Sequence, residues 1–163
     1  MSTATTDFPR QLHDARQLKR LRELRERAAL NGLRGAEARL QAAIQSMQER
    51  QAVILHLHNE RQALALRVVG ELATDMVRLA SYVSALQAKL DDDLERAEYA
   101  LIDEEHAVAE ARAKVKEARQ AWLQAVSRHN AATTMVSDSS QALRRDREAR
   151  AEREDAPTFT LIT

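Results

Sequence analysis

The chain has 163 residues, the length of one domain, with no cysteine, 3% aromatic residues and 31% charged residues that balance to a net charge of zero. Without cysteine, disulfide-stapled folds and thiolate metal sites are excluded, and neutrality argues against a phosphate-driven nucleic-acid binder. A thin apolar stripe on a solvated helix suits this composition better than a thick globular core.

Met1–Asp7 is rich in Ser and Thr and shows no basic region followed by an apolar run, so no secretory signal is expected there. Residues 1–8 are read as a flexible N-terminus. The first helix is expected over about 9–69. Asp7 can cap its first amides, and Pro9 is tolerated in a first turn because its missing N–H costs nothing there. Leu18, Leu21 and Leu24 are the early apolar positions. After Asn31–Gly32 and Gly35 a new register is expected, with Leu33, Leu40, Met47, Ile54 and Val68 on one heptad position and Ala36, Ala43, Leu57 and Leu64 on the second. The two glycines are read as tolerated, at about 1 kcal/mol each relative to alanine. The longest apolar run, Val53–Leu57, is interrupted by His56, far short of the ~18–20 residues that span a bilayer.

A turn is expected at about 70–74, where Gly70 can adopt the left-handed helix cap and Thr74 or Asp75 can cap the next helix. That second helix, about 75–154, contains no proline or glycine. Met76, Leu79, Val83, Leu86 and Leu90 lead into an unbroken seven-residue stripe of Leu94, Leu101, Val108, Val115, Trp122, His129, Val136 and Leu143. A seven-residue apolar repeat keeps one seam of a helix against a partner helix. The short connection makes that partner the first helix, antiparallel. The expected fold is all-α, a long antiparallel two-helix coiled-coil hairpin over 9–156 whose second helix runs about 115–120 Å. The 157–163 segment, with Thr158, Phe159, Thr160, Leu161 and Ile162, is read as a flexible tail, with strand addition to a partner's sheet as its other reading.

A turn at 72 pairs residue i with a residue near 144 − i, which leaves the second helix beyond about 133, with Val136 and Leu143, uncovered. It also gathers two basic segments, 10–50 and 111–153, at the end away from the turn; each carries ten Lys/Arg and five Asp/Glu. The 91–110 segment, with nine Asp/Glu and one Arg, lies nearer the turn, where Arg39 and Arg50 can pair with it. Such polarity steers partners.

No catalytic constellation is visible. His56 and His58 stand two apart and face different ways on a helix. His129 takes a stripe position and is read as a seam histidine. Asp91, Asp92 and Asp93 lack a turn to converge their oxygens on a cation, and three scattered glycines cannot cradle a phosphate. No metal, no cofactor and no enzymatic role is expected. Arg144, Arg145, Arg147, Arg150 and Arg153 form a basic stretch, but Asp146, Glu148 and Glu152 alternate with them and stacking aromatics are absent, so nucleic acid is not expected as a partner.

Two stretches carry a family resemblance: Met76-Val77-Arg78-Leu79-Ala80-Ser81-Tyr82-Val83-Ser84-Ala85-Leu86, and Gln120-Ala121-Trp122 followed by a polar helix with Ala131-Ala132 and the Arg-rich end. In them the chain resembles the YscO/FliJ-type proteins, the central stalk of the export ATPase in type III secretion systems and flagella. The resemblance implies a cytoplasmic antiparallel coiled coil, held at the inner-membrane secretion apparatus through its partners and not inserted in the membrane. Its open end would enter a hexameric export ATPase, and the region around the start of the second helix would contact the cytoplasmic domain of the export gate. Some members also bind export chaperones. Tyr82 and Leu86 match the gate-contact positions, whereas Lys89 and Asp93 bring different chemistry to the next two. Charge polarity and resemblance together select Arg16, Lys19, Arg20, Arg144, Arg145 and Arg147 for the ATPase. Other readings are a generic coiled-coil adaptor or oligomerisation module, and a chaperone or secreted component of the same apparatus.

Overall fold

The computed structural model describes residues 7–154; the expectations for the first six residues and for the 157–163 tail lie outside them. Two helices fill that span, α1 (Phe8–Val69) and α2 (Met76–Glu154), and no strand occurs among the described residues. The protein is an all-α two-helix hairpin, as the heptad stripes and the breaker-free second half require. Asp7 and Phe8 belong to the start of α1 rather than to a loose N-terminus. The Asp7 side chain accepts from the Arg10 amide at 3.3 Å and its carbonyl from Gln11 at 3.0 Å, which satisfies amides a helix start leaves free.

By its contacts the chain divides into two units. One joins the residues up to Leu33 with those from Ala118; the other is Arg34–Glu117. In the second unit the helices are tied by Arg50–Glu104 at 3.2 Å, Arg61–Asp91 at 3.1 Å and His58–Glu98 at 4.0 Å. Its core is Ala36, Leu64, Val83, Leu90, Leu94, Ala97 and Val108. In the first unit Glu26 meets His129 at 2.5 Å, and Leu12, Ala15, Leu33 and Ala132 are buried.

These pairs place residue i of α1 level with a residue near 155 − i, about ten positions from the expected 144 − i. The polar pairs explain the difference. A slip of one heptad would set Glu26 against Trp122 or Val136, and Arg50 against Ala97 or Ala111, stranding charge in an apolar layer. The observed register also corrects the uncovered end of α2. Phe8 stands level with a residue near 147, so α2 passes the start of α1 by only about seven residues, roughly 10 Å. Val136 and Leu143 are half-buried, and Leu12 stands level with Leu143.

Along α1 the seam is continuous. Phe8, Leu12, Ala15, Lys19, Arg22, Glu26, Ala29 and Leu33 keep the same alternation of three and four residues that Ala36, Leu40, Ala43 and Met47 continue, and all are buried or half-buried. No new register begins after Gly35. Leu21 and Leu24, expected as early apolar positions, are 45% and 62% exposed. The polar residues Lys19, Arg22 and Glu26 hold the seam positions they were expected to fill.

The turn also differs from expectation. No described residue has positive φ, Gly70 included. The Gly70 amide still bonds the Leu66 carbonyl, Leu72 reaches back to Arg67, and Ala73 and Asp75 make tighter turns onto Gly70 and Leu72. The chain thus keeps climbing in loose helical turns through 70–75, which accommodates the shifted register. The Asp75 carbonyl accepts from Arg78 and Leu79 and so opens α2, whereas neither the Thr74 nor the Asp75 side chain makes a capping bond among the described residues.

Candidate interaction site

Charge separates along the sequence in the same places as the contacts do. Among the described residues, the unit containing the two helix ends away from the turn carries 14 Lys/Arg against 9 Asp/Glu, net +5; the Arg34–Glu117 unit carries 11 against 15, net −4. In the acidic unit the cross-helix pairs absorb Arg50, Arg61 and His58 against Glu104, Asp91 and Glu98. Arg50 pairs as expected. Arg39 lines a groove with Ala36, Ala43, Ala107 and Glu110 and forms no ion pair among the described residues. There the Lys114 ammonium, 2.7 Å from Glu110, donates to its carboxylate and holds that exposed group below the usual carboxylate range.

All six cationic residues selected from the sequence lie in the basic unit. Arg16, Arg20, Arg144, Arg145 and Arg147 are exposed and Lys19 is half-buried. Arg144 leans on Glu148 at 3.7 Å; the other five have no carboxylate within ion-pair distance among the described residues. Arg144 and Arg145 line one shallow groove with Gln141 and Glu148. The register sets Arg144–Arg147 level with residues 8–11, roughly one to three helical turns from Arg16, Lys19 and Arg20. The structure therefore gathers the six on one unit but in two neighbouring groups. An exposed arginine keeps its charge and its planar fork available to a partner carboxylate.

Tyr82 and Leu86 separate in character. Tyr82 is 66% exposed, while Leu86 is half-buried and packs around a hollow with Ala63, Leu64, Arg67 and Leu90. Near the turn Leu66, Val69 and Val77 are also exposed, Val77 almost wholly at 97%.

The Glu26–His129 pair is not visible as a pair from the sequence. His129 stands in the stripe, but Glu26 looks like one more exterior charge. Their side chains are 27% and 23% exposed, and His129 Nε2 is buried without a hydrogen-bond partner, as are Trp122 Nε1 and Glu104 Oε2. Removing Glu26 strands the imidazole in the seam. We expect Glu26→Ala to cost about 1–2 kcal/mol in chemical denaturation. Glu26→Leu combined with His129→Leu should recover most or all of it, because an apolar layer needs no partner. Additive losses from the two single changes would show that the pair does not interact.

No group of three His, Cys, Asp or Glu among the described residues is arranged to hold a metal ion, and no described helix is long and apolar enough to cross a membrane. Comparison with protein-family models, with curated proteins and with solved structures finds no match to this chain.

Proposed function

We propose that the protein is a non-enzymatic coupling element of the YscO/FliJ stalk type, serving the export ATPase of a type III secretion system. Its basic unit engages the ATPase hexamer, and the region around Tyr82 and Leu86 contacts the cytoplasmic domain of the export gate. It would act in the cytoplasm, at the inner membrane through these partners, and would also present surface to export chaperones. The observation that carries the reading is the division of charge: net +5 on the unit formed by the helix ends away from the turn, against net −4 on the unit that holds the turn. A basic end only two helices across suits insertion into a ring lined with acidic groups. The buried apolar residues of both helices lie in the seam between them, which leaves the charged outer surface to meet partners.

Affinity capture tests the partnership. The tagged protein should retain the export ATPase of the same secretion apparatus at moderate salt and release it as salt rises, since exposed arginines act through screened charge. The gate contact is separable. Tyr82→Ala with Leu86→Ala should weaken binding to the gate domain about tenfold, the loss expected for a contact residue worth over 1 kcal/mol, with helicity unchanged. An unaltered affinity removes the gate assignment and leaves the ATPase assignment standing. A stable homodimer that captures neither partner would favour the generic adaptor.

A further inference from the structure

One groove of the basic unit contains none of the residues selected from the sequence. Arg22 and Arg25 of α1 and Arg128 of α2 line it together with Ala121, Gln124 and Ala125. The carboxylates nearest in sequence are already engaged: Glu23 holds Arg27 at 2.5 Å, and Glu26 holds His129 across the seam. Among the described residues no carboxylate lies within ion-pair distance of Arg22, Arg25 or Arg128. Half-buried Arg22 and exposed Arg25 and Arg128 thus line one groove, and none of the three forms an ion pair among the described residues. Ala121 and Ala125 add only small side chains to the lining, and Gln124 adds an amide that can donate or accept.

Helical spacing extends the groove. Leu21 and Leu18 precede Arg25 by four and seven residues, and Met135 follows Arg128 by seven, so they continue the same faces. Leu21 is 45% and Met135 49% exposed, and the register sets Leu21 level with a residue near 134. Arg25 therefore stands about one turn from exposed Leu21, and Arg128 about two turns from exposed Met135.

We infer that this groove is a docking site for an acidic amphipathic segment of a partner protein. Its carboxylates would take bidentate hydrogen bonds from Arg22, Arg25 and Arg128, and apolar residues about one and two turns away would cover Leu21 and Met135. The inference gives the coupling role its partner chemistry, and rests on that role only for which protein supplies the segment. The chain's own face around Glu95, Glu98, Tyr99 and Ile102 has similar chemistry, so association between copies is the competing outcome.

The test uses the full chain and a short labelled peptide repeating Glu-Leu-Glu-Glu, followed by fluorescence anisotropy, with a Gln-for-Glu peptide as control. The acidic peptide should bind, and the control should bind at least about tenfold more weakly, the difference expected when charge-assisted hydrogen bonds are lost. Arg25→Glu with Arg128→Glu should lower affinity by a similar factor while circular dichroism stays unchanged, since both side chains are exposed. Arg145→Glu, outside the groove, should leave it within about twofold. Equal binding of the two peptides, unchanged binding in the double variant, or salt-sensitive self-association that the acidic peptide does not compete away would overturn the inference. None of these results depends on whether the ATPase is the partner, because the ATPase is absent from the assay.

Discussion

Val83→Asp is expected to open the hairpin next to its turn while leaving the basic unit folded. Val83 is 4% exposed, and the register sets it level with Leu72. Leu79 and Leu86 lie one turn on either side, and Val68 is the nearest seam residue of α1; all four are half-buried. An aspartate there would lose its hydration and find no cation on the seam, at a cost of about 3 kcal/mol or more. In a two-helix hairpin each layer touches only its neighbours, so the damage spreads along the seam and stops where packing is next well satisfied. Hydrogen exchange should show faster amides over roughly 60–95, with protection retained around Ala132, which is 2% exposed. Val77→Asp, at a side chain almost wholly in solvent, should change neither. Equal exchange in the two variants would mean that Val83 is not a core residue.

The second large effect is a gain. Gly32 and Gly35 both lie within α1, have no positive φ, and a methyl group added at either meets nothing within 4 Å. Their flexibility is therefore unused in the folded state and only widens the unfolded ensemble. Gly32→Ala and Gly35→Ala should each stabilise by about 1 kcal/mol, and together raise Tm by roughly 4–8 °C, at about 2–4 °C per kcal/mol for a chain of this size. A fall in Tm would show that the helix is interrupted there.

The fold class can be read from the chain because it depends on period, and the Leu94–Leu143 stripe repeats without interruption. Register depends instead on which polar residues share a layer, and connection length is a poor guide to it. The shortest connection centres on residue 72 and implies 144 − i. Yet His129 and Glu104 interrupt the α2 seam, as Ser139 also does, and Glu26 and Arg50 interrupt the α1 seam together with Lys19 and Arg22. The two pairs the structure forms among them, 26 with 129 and 50 with 104, give nearly the same offset twice, and that is the observed register. The signal is present in the sequence but concealed among 50 charged residues. Leu21 and Leu24 mislead for the converse reason: a leucine looks like core wherever it stands, although scattered exposed leucines are ordinary. The left-handed cap expected at Gly70 does not form because the chain continues in helical turns that require no positive φ.

The candidate interaction site is legible as charge and illegible as shape. Counting arginines finds the basic ends. Only the pairing of Glu23 with Arg27 and of Glu26 with His129 shows that Arg22, Arg25 and Arg128 have no ion-pair partner among the described residues. Tyr82 and Leu86, equivalent in the family resemblance, prove to be an outward ring and a seam residue. A change at Leu86 therefore tests packing as well as contact, and Tyr82→Ala alone is the cleaner probe of the gate.

The coupling role is tested most directly by steady-state ATP turnover of the cognate export ATPase with and without this protein. The full chain should raise turnover and favour the hexamer. Charge reversal at Arg144, Arg145 and Arg147 should abolish the rise while leaving the hairpin helical. Turnover unchanged by the protein, and equally unchanged by the reversed variant, would contradict the coupling role.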